Sequence, residues 1–248
     1  MKIFRLFGVA FIAIILSVNI TSCNKDGEGS IGDHNPTGGK RITKLVENYS
    51  SGYSSTTTFV YDDQGRVVES QQDGDVCTYI WGNNIIQQEY KMQMSADVEL
   101  TVCKIFTIKN GLVQKENTDT DGGYMSSTIT YNYDSMGRWN DNMIWDGDKL
   151  VLEYSDECKY EYNYAGQTCK KGFRPNFNTD ELFIIHPELV GIQTTQLQTS
   201  ATRTITGGPS SGEKNTETYE YEFDDEGCIT KVIEKGQDYT YTYTLTWE

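Results

Sequence analysis

The residues of this sequence that could do chemistry are mainly carboxylates, and their spacing favours no particular reaction. The chain has 36 Asp and Glu against 21 Lys and Arg. With so many acids some pair lies close together by chance, so a two-carboxylate glycosidase has no specific signal. The two histidines, His34 and His186, are too few for a His-built metal site, and no Gly-x-Ser-x-Gly nucleophile elbow accompanies His186. We therefore expect a protein that is not an enzyme and that carries no cofactor.

A weak calcium-like pattern begins at Asn117. Asn117, Asp119 and Asp121 place oxygen donors at alternate positions before Gly122, as at the start of an EF-hand loop. The twelfth position is Thr128 and not a bidentate Glu, and the residues just before it already have the pattern of a strand. A hairpin turn is the better interpretation, and a calcium loop is the alternative.

Aromatic side chains are the main candidates for ligand binding. The sequence has 17 Tyr and 4 Trp, and exposed rings on a rigid sheet suit a sugar ring or a peptide. Trp139 and Trp145 are the candidate ligand-stacking residues. The alternative is that these rings belong to the core, as most of the aromatic side chains must.

The first 23 residues are typical of a bacterial lipoprotein export signal. Lys2 and Arg5 precede an apolar run that is too short to span a bilayer comfortably, and Ile20-Thr21-Ser22-Cys23 fits a lipobox. We expect residues 1–22 to be removed as a signal peptide and Cys23 to carry the acyl chains that hold the protein on the membrane. The charged residues after Cys23 resemble the surface-export signal of Bacteroidetes-type lipoproteins, which implies an outer-membrane protein exposed on the cell surface.

The rest of the chain divides into a tether and one domain. Residues 23–40 are rich in Gly and charge and poor in apolar side chains, so they predict a flexible tether, and residues 41–248 then form a single β-domain. Removing residues 1–22 takes away Lys2 and Arg5 and no acid, so the formal net charge falls from −15 to −17. Such a field repels nucleic acid and anionic lipid. It suits a cationic, metal-bearing or neutral partner, although solubility alone also explains it, and we expect a monomer.

Five cysteines follow Cys23, and their odd number leaves at least one thiol outside any bridge within the chain. A domain of this size does not need disulfides for its stability. We expect mostly buried thiols, with room for one bridge. The five residues are Cys77, Cys103, Cys158, Cys169 and Cys228.

A short internal repeat predicts the elements that position these side chains. Apolar or aromatic residues are followed by a turn rich in Asp, Asn and Gly and then by β-branched residues, most clearly at 59–67, 131–139 and 221–229. The Asp can accept hydrogen bonds from backbone amides two residues on, and the Gly three positions later tolerates a positive φ. Each copy therefore predicts a β-hairpin, and period-two alternation gives its strands one aromatic and one polar face.

Strand after strand with short turns predicts an all-β fold. We expect an antiparallel up-and-down meander of these hairpins, curled or closed into a barrel that hides its edges. Residues 178–191 are the exception, because they predict a short helical cap against the sheet. Only residues 239–247 alternate for long enough to cross a bilayer, so we expect a soluble barrel or curled sheet.

The Tyr-Asp-x-x-Gly-Arg hairpins resemble the YD units of the large RHS-type shells. With the lipobox and the His-Pro-Glu-Leu-Val-Gly stretch at 186–191, the chain resembles a Bacteroidetes lipoprotein family of unknown function with a porin-like fold. The resemblance implies a many-stranded antiparallel sheet or barrel and brings no established activity and no catalytic residues. The third hairpin departs from the motif, because Cys228 stands where the Arg would be.

Three classes of function remain. We favour a non-catalytic surface protein that binds a glycan or another extracellular ligand. The alternatives are a structural or assembly protein of the outer membrane that binds another protein and, as a minor one, a carboxylate-dependent hydrolase. A solvent-facing row of Trp or Tyr would favour glycan binding, a large apolar patch would favour assembly, and a cleft with two buried acids of raised pKa would favour the enzyme.

Overall fold

The computed structural model describes residues 40–95, 98–120, 126–155, 157–169, 181–191 and 196–248. The predicted signal peptide, the lipid on Cys23 and all of the predicted tether except Lys40 lie outside the described residues. So do Asp121 of the calcium-like pattern and residues 178–180 of the predicted cap.

The fold is all-β, as the alternation predicts. One α-helix, α1 (Glu181–Ile185), and one 3₁₀ helix (Pro187–Val190) interrupt the strands in the part of the chain that the structure describes. The fifteen strands are β1 (Ile42–Tyr49), β2 (Ser54–Tyr61), β3 (Val67–Gln72), β4 (Asp75–Trp81), β5 (Ile85–Ser95), β6 (Val98–Lys109), β7 (Leu112–Thr120), β8 (Ser126–Thr130), β9 (Met143–Asp146), β10 (Lys149–Tyr154), β11 (Cys158–Thr168), β12 (Gln196–Ile205), β13 (Lys214–Phe223), β14 (Ile229–Lys235) and β15 (Thr240–Trp247).

All fifteen strands belong to one antiparallel sheet. Each strand pairs with its neighbours in sequence, except that β1 pairs with β15 and that no ladder joins β8 to β9 in the described residues. A hairpin held by an isolated bridge between Tyr133 and Trp139 lies between β8 and β9. The predicted up-and-down meander is confirmed. The sheet curls without closing, so one seam stays open between β8 and β9.

Three Asp-Gly turns that share one hydrogen-bond pattern lie at one end of the sheet, which we call the turn end. In each turn the Asp Oδ1 accepts hydrogen bonds from the backbone N–H groups two and four residues on, at 2.8–3.0 Å. The Gly three residues after the Asp has a φ of 74–83°, which a residue with a Cβ rarely adopts. The aspartates are Asp62, Asp134 and Asp224, and the glycines are Gly65, Gly137 and Gly227.

Burial is deepest at the turn end. Inward-facing side chains of strands from β1 to β15 form one hydrophobic cluster, so the sheet curls around a single core. Six inward side chains near the turns are at most 1% exposed, whereas several inward tyrosines near the opposite end are only half-buried. Those deeply buried side chains are Val67, Ile86, Phe106, Val113, Leu150 and Ile229.

The predicted helical cap is found in its described part, residues 181–191, which we call the plug. It packs inside the curled sheet, where the Phe183 ring lies 5.5 Å from the Phe106 ring. Leu182 and Val190 are fully buried, and burial of an apolar side chain of this size contributes about 1.5–3 kcal/mol. In the described part of the chain no helix is long and apolar enough to cross a membrane.

Candidate functional site

Four tyrosines form a continuous row at the end of the sheet opposite the turn end. Tyr49 and Tyr241 face each other in the β1–β15 ladder, with their ring centroids 4.9 Å apart. Tyr53 extends the row at 5.5 Å from Tyr49, and Tyr239 extends it at 4.6 Å from Tyr241. We call these four residues the tyrosine row.

Tight turns position both ends of the tyrosine row. Tyr53 closes the turn between β1 and β2, and its hydroxyl donates to Asp73 Oδ2 at 3.0 Å. Tyr239 closes the turn between β14 and β15, where its carbonyl accepts a hydrogen bond from the Gly236 N–H at 3.0 Å. A Cβ on Gly236 would clash with the Tyr239 ring, so the lack of a side chain lets that ring lie over the turn and stack on Tyr241.

One ring of the tyrosine row is exposed to the solvent. Tyr53 is 58% exposed, and the other three rings are half-buried. Rings that hold one another in place lose little conformational entropy when a ligand binds, and each phenol offers an apolar face or edge together with a polar hydroxyl. This combination suits a ligand that has both C–H and O–H groups.

Two carboxylates lie beside the Tyr239 end of the tyrosine row. Glu217 of β13 accepts hydrogen bonds from the Tyr239 hydroxyl at 2.5 Å and from the Tyr219 hydroxyl at 3.0 Å. Glu234 of β14 is only 6% exposed and accepts a hydrogen bond from the Tyr243 hydroxyl at 3.2 Å. The Tyr239 hydroxyl also lies close to Glu234, so it connects the row to both acids. We call Glu217 and Glu234 the carboxylate pair.

Burial controls the charge of this cluster. It raises the pKa of Glu234 to about 7, and the neighbouring charge of Glu217 adds to the effect, while the hydrogen bond from Tyr243 and the nearby Tyr239 hydroxyl oppose it. Burial, together with the hydrogen bond to Glu217, also raises the pKa of Tyr239 above the usual tyrosine range. The phenols therefore stay neutral donors near neutral pH, while Glu234 exchanges a proton with the solvent in that range.

Trp139 and Trp145, the candidate stacking residues, lie at the turn end and not in the tyrosine row. Both indoles are half-buried against the core. Trp145 Nε1 donates to the Trp139 carbonyl at 2.6 Å, and Trp139 Nε1 donates to Asp141 Oδ2 at 2.9 Å. The guanidinium of Arg138 stands over the Trp145 ring. Both residues have structural contacts, and their stacking on a ligand stays a prediction.

The described residues of the calcium-like pattern belong to β7. Asn117 Oδ1 accepts a hydrogen bond from Thr128 Oγ1 at 3.0 Å, and Asp119 Oδ1 accepts one from the Thr120 N–H at 2.9 Å. Within the described ranges no group of three or more His, Cys, Asp or Glu side chains could hold a metal ion. Because Asp121 lies outside those ranges, the calcium loop also stays a prediction.

The five cysteines after Cys23 are thiols in the structure, and all are buried except the half-buried Cys103. This agrees with the expected buried thiols. Cys158 Sγ accepts a hydrogen bond from Arg203 Nε at 3.1 Å, on the inner face of the sheet.

The sequence does contain one Gly-x-Ser-x-Gly match, at residues 208–212, so the expected absence of a nucleophile elbow holds for the geometry and not for the letters. These residues form the loop between β12 and β13 and not a strand-to-helix turn. His186 belongs to the plug, where Nδ1 lies 2.9 Å from Glu188 Oε1 and the ring packs edge-on against Trp81. The loop is at the opposite end of the sheet from the plug, so these residues do not assemble a Ser-His pair.

The sequence indicates only half of the tyrosine row. The alternation of residues 239–247 identifies Tyr239 and Tyr241 as neighbours on one face. Tyr49 and Tyr53 come from the other end of the sequence, and only the pairing of β1 with β15 brings them to the same place.

No family model matches this chain, and no curated protein matches it. Two solved structures that resemble it are porin-like proteins of Bacteroides. The one from Bacteroides vulgatus ATCC 8482 is 13% identical, with a TM-score of 0.57 over 84% of this chain and 98% of that chain. The one from Bacteroides uniformis ATCC 8492 is 16% identical, with a TM-score of 0.49 over 89% of this chain and 100% of that chain. The likeness to the Bacteroides vulgatus protein shows a porin-like fold.

Proposed function

We propose that this chain is a non-enzymatic lipoprotein of the outer membrane that is anchored through Cys23, faces the cell exterior and binds a glycan at the tyrosine row. The observation that carries the proposal is the exposed Tyr53 ring, continued by three half-buried rings that pack against one another edge-on or stacked. A solvent-facing row of this kind is the feature that favours glycan binding over the other classes of function.

The position of the tether's last residue supports anchoring at the turn end of the sheet and ligand binding at the opposite end. Lys40, the last residue of the predicted tether, lies at the turn end, where its ammonium is 3.0 Å from Asp224 Oδ2. The plug fills the same end of the sheet. A tether that leaves from the turn end keeps the tyrosine row at the far end of the molecule, where a ligand outside the cell can reach it.

The charged outer face of β13 and β14 favours contact with water over contact with lipid there. On β13 and β14 this face carries ion pairs between Lys231 and Glu222 at 2.9 Å and between Lys235 and Glu220 at 2.5 Å. Charged side chains in the middle of a lipid-facing barrel wall cost about 2–4 kcal/mol each for Lys and Arg. The proposed attachment to the membrane therefore rests on the lipid and not on the strands.

A glycan array tests the binding. The full chain, purified from membranes in detergent, should be retained by one class of polysaccharide, and Tyr53→Ala or Tyr241→Ala should weaken retention about tenfold or more. Trp139→Phe and Trp145→Phe on the same array test the predicted indole site, because loss of retention there would move the ligand to the turn end. A blank array for the folded wild-type protein would overturn the proposal.

Metabolic labelling with a fatty acid tests the anchor. Cys23→Ser should abolish the label and release the protein from the membrane fraction, whereas Cys77→Ser, which changes a buried thiol, should keep both. Protease treatment of intact cells should cleave the lipidated protein. Label on the Cys23→Ser variant, or full protection from the protease, would contradict the proposed anchoring or surface location.

A second candidate function, assembly with another protein, is supported by the open seam. Every residue of β8 is exposed, and an edge strand without charged side chains is a template for pairing with another strand. A photo-crosslinker at Thr128 of β8 should capture a partner on intact cells if this function is correct, and one at Thr244 on the outer face of β15 is the control.

The hydrolase alternative can be tested at the carboxylate pair. Release of reducing ends from a retained glycan, lost in Glu234→Gln, would show that the protein is an enzyme. We expect no release by the wild-type protein.

A further inference from the structure

We propose that the tyrosine row selects glycans that are neutral or carry amino groups and rejects glycans that carry carboxylates or sulfates. This inference rests on the proposed glycan binding and adds the class of ligand. It follows from the distribution of fixed charge along the row, where a carboxylate stands at each end.

At the exposed end, the acid is in direct contact with the ring that a ligand would meet first. Asp73 Oδ2 accepts the hydrogen bond from the Tyr53 hydroxyl at 3.0 Å, and Asp73 Oδ1 accepts one from the Thr56 N–H at 3.2 Å. The Ser55 hydroxyl, followed by these two donors, favours the charged form and holds the pKa of Asp73 below its usual range. A ligand on Tyr53 therefore lies next to a fixed negative charge.

At the other end, the carboxylate pair lies against Tyr239. The 2.5 Å bond from the Tyr239 hydroxyl to Glu217 fixes that acid at the end of the row. Between the two ends, Glu47 is on the inner face of β1 beside Tyr49, and its charge contributes to the raised pKa of Tyr49. Acidic groups thus accompany the row along its whole length.

Arg203 and Lys235 are two cations on the described strands around this cluster. Arg203 of β12 contributes a positive charge near Glu217, but its Nε donates to Cys158 Sγ at 3.1 Å. Lys235 of β14 points to the outer face, where it pairs with Glu220. The thiol bond leaves the guanidinium charged, so an anionic sugar on the row would meet the several acids of the row against the one positive charge of Arg203.

The physical consequence is discrimination by repulsion. Like charges placed together across a binding surface disfavour a wrong ligand even where the contacts to the rings are unchanged. A neutral sugar keeps those contacts without the repulsion, and an ammonium group gains attraction from the same acids. The tyrosine row supplies the binding surface, and the charges of the acids determine which sugars bind to it.

Two matched pairs of probes test the selection. The first is hexagalacturonate against its methyl ester, which removes the carboxylate charges, and the second is a chitosan hexamer against the N-acetylated chitin hexamer. For the full chain at low salt, we expect the methyl ester to bind about tenfold more tightly than hexagalacturonate, and the chitosan hexamer to bind at least as tightly as the chitin hexamer. The difference between galacturonate and its ester should shrink as salt is added.

Charge-neutral variants test whether the named acids cause the discrimination. Glu217→Gln with Glu234→Gln should bring hexagalacturonate close to its ester, and Asp73→Asn should do so in part at the other end of the row. The control is Glu220→Gln with Glu222→Gln, which removes two acids from the opposite face of β13 and should leave the difference intact. Both double variants are compared at a pH well above 7, where Glu234 is ionised and the change in net charge is the same.

Four results would overturn the inference. Equal binding of hexagalacturonate and its ester by the wild-type protein, with both lost in Tyr53→Ala, would leave the glycan site standing and remove its charge selection. An equal effect of the outer-face control would assign the discrimination to net charge alone. Failure of both neutral and amino probes to bind, while the array retains another glycan, would overturn this inference and leave the glycan site standing. Failure of all four probes together with a blank array would remove the proposed function as well.

Discussion

Lys40 Nζ lies 3.0 Å from Asp224 Oδ2, in the place that an arginine side chain takes at the other two Asp-Gly turns. There Arg66 Nε donates to Asp62 Oδ2 at 2.8 Å, and Arg138 Nε donates to Asp134 Oδ2 at 2.7 Å. The third copy has Cys228 at the equivalent position, so its cation comes from a residue far away in the sequence. The ion pair ties the start of the described chain to the turn between β13 and β14.

Lys40→Ala should therefore lower the thermal unfolding midpoint, and the loss should be smaller at high salt because the pair is accessible to ions. Adding Cys228→Arg to this variant should recover part of the loss by restoring the arginine of the motif. Calorimetry at two salt concentrations measures both effects. Lys44→Ala, which removes an exposed lysine of β1, is the control, and an equal loss there would show that the turn contact is not responsible.

A second contact of the turns is a hydrogen bond from a tryptophan indole to a backbone carbonyl, and it occurs three times. It predicts how much stability each tryptophan substitution should cost. Each Nε1 donates at 2.6–2.7 Å to the carbonyl of the residue two positions after a turn glycine. Trp81→Phe or Trp247→Phe should cost about 1–3 kcal/mol, because the buried carbonyl loses its donor. Urea unfolding measures the loss. The pairs of donor and acceptor are Trp81 and Val67, Trp145 and Trp139, and Trp247 and Ile229.

The control for this series is Trp139→Phe, whose Nε1 donates to the carboxylate of Asp141 and not to a buried carbonyl. We expect a smaller loss from this variant than from Trp81→Phe or Trp247→Phe. Losses of the same size at all three positions would mean that ring packing, and not the repeated hydrogen bond, holds the turns.

Glu234 should make the folded state less stable as the pH rises. Burial raises its pKa from 4.5 to about 7, so between these values the folded protein binds more protons than the unfolded chain. The free energy of unfolding should therefore fall as the pH rises from about 4.5 to about 7 and should level off above that range. Glu234→Gln should flatten this slope in urea titrations, whereas Glu222→Gln on the outer face should keep it. An unchanged slope in Glu234→Gln would contradict the raised pKa.

Gly236→Ala should displace the Tyr239 ring and break its stack with Tyr241, because the new methyl group would occupy the position of the ring. We expect weaker glycan binding, a lower tyrosine near-ultraviolet circular dichroism signal and an intact sheet. Gly207→Ala, in a loop at the same end of the sheet, would meet only ordinary contact with Glu157 and serves as the control. Unchanged binding and spectra in Gly236→Ala would show that the turn does not position the ring.

Local chemistry explains why most of the fold could be predicted from the sequence. The Asp and Gly of each turn determine the turn through bonds to their own backbone, and the alternation of each strand determines its inner face. The plug was predictable for the same reason, because a capping residue, an apolar run and then Pro187 are the local signals of a short helix that buries its apolar side chains.

Long-range contacts explain why the candidate site could not be predicted. Nothing local indicates that Lys40 replaces an arginine at Asp224 or that Tyr49 meets Tyr241, since both contacts depend on the pairing of β1 with β15. Trp139 and Trp145 stand out in the sequence as large aromatic residues, but their N–H groups serve the turn end of the fold. Composition identifies the aromatic residues, and the register of the sheet decides which of them gather.

The most direct test of glycan binding is a titration of the full chain, and of its Tyr53→Ala variant, with the polysaccharide that the array retains. We predict saturable binding by the wild-type protein and about tenfold weaker binding by the variant, with the same thermal unfolding midpoint for both because Tyr53 is exposed. Equal affinity of the two proteins, or no saturable binding by the folded wild-type protein, would contradict the account.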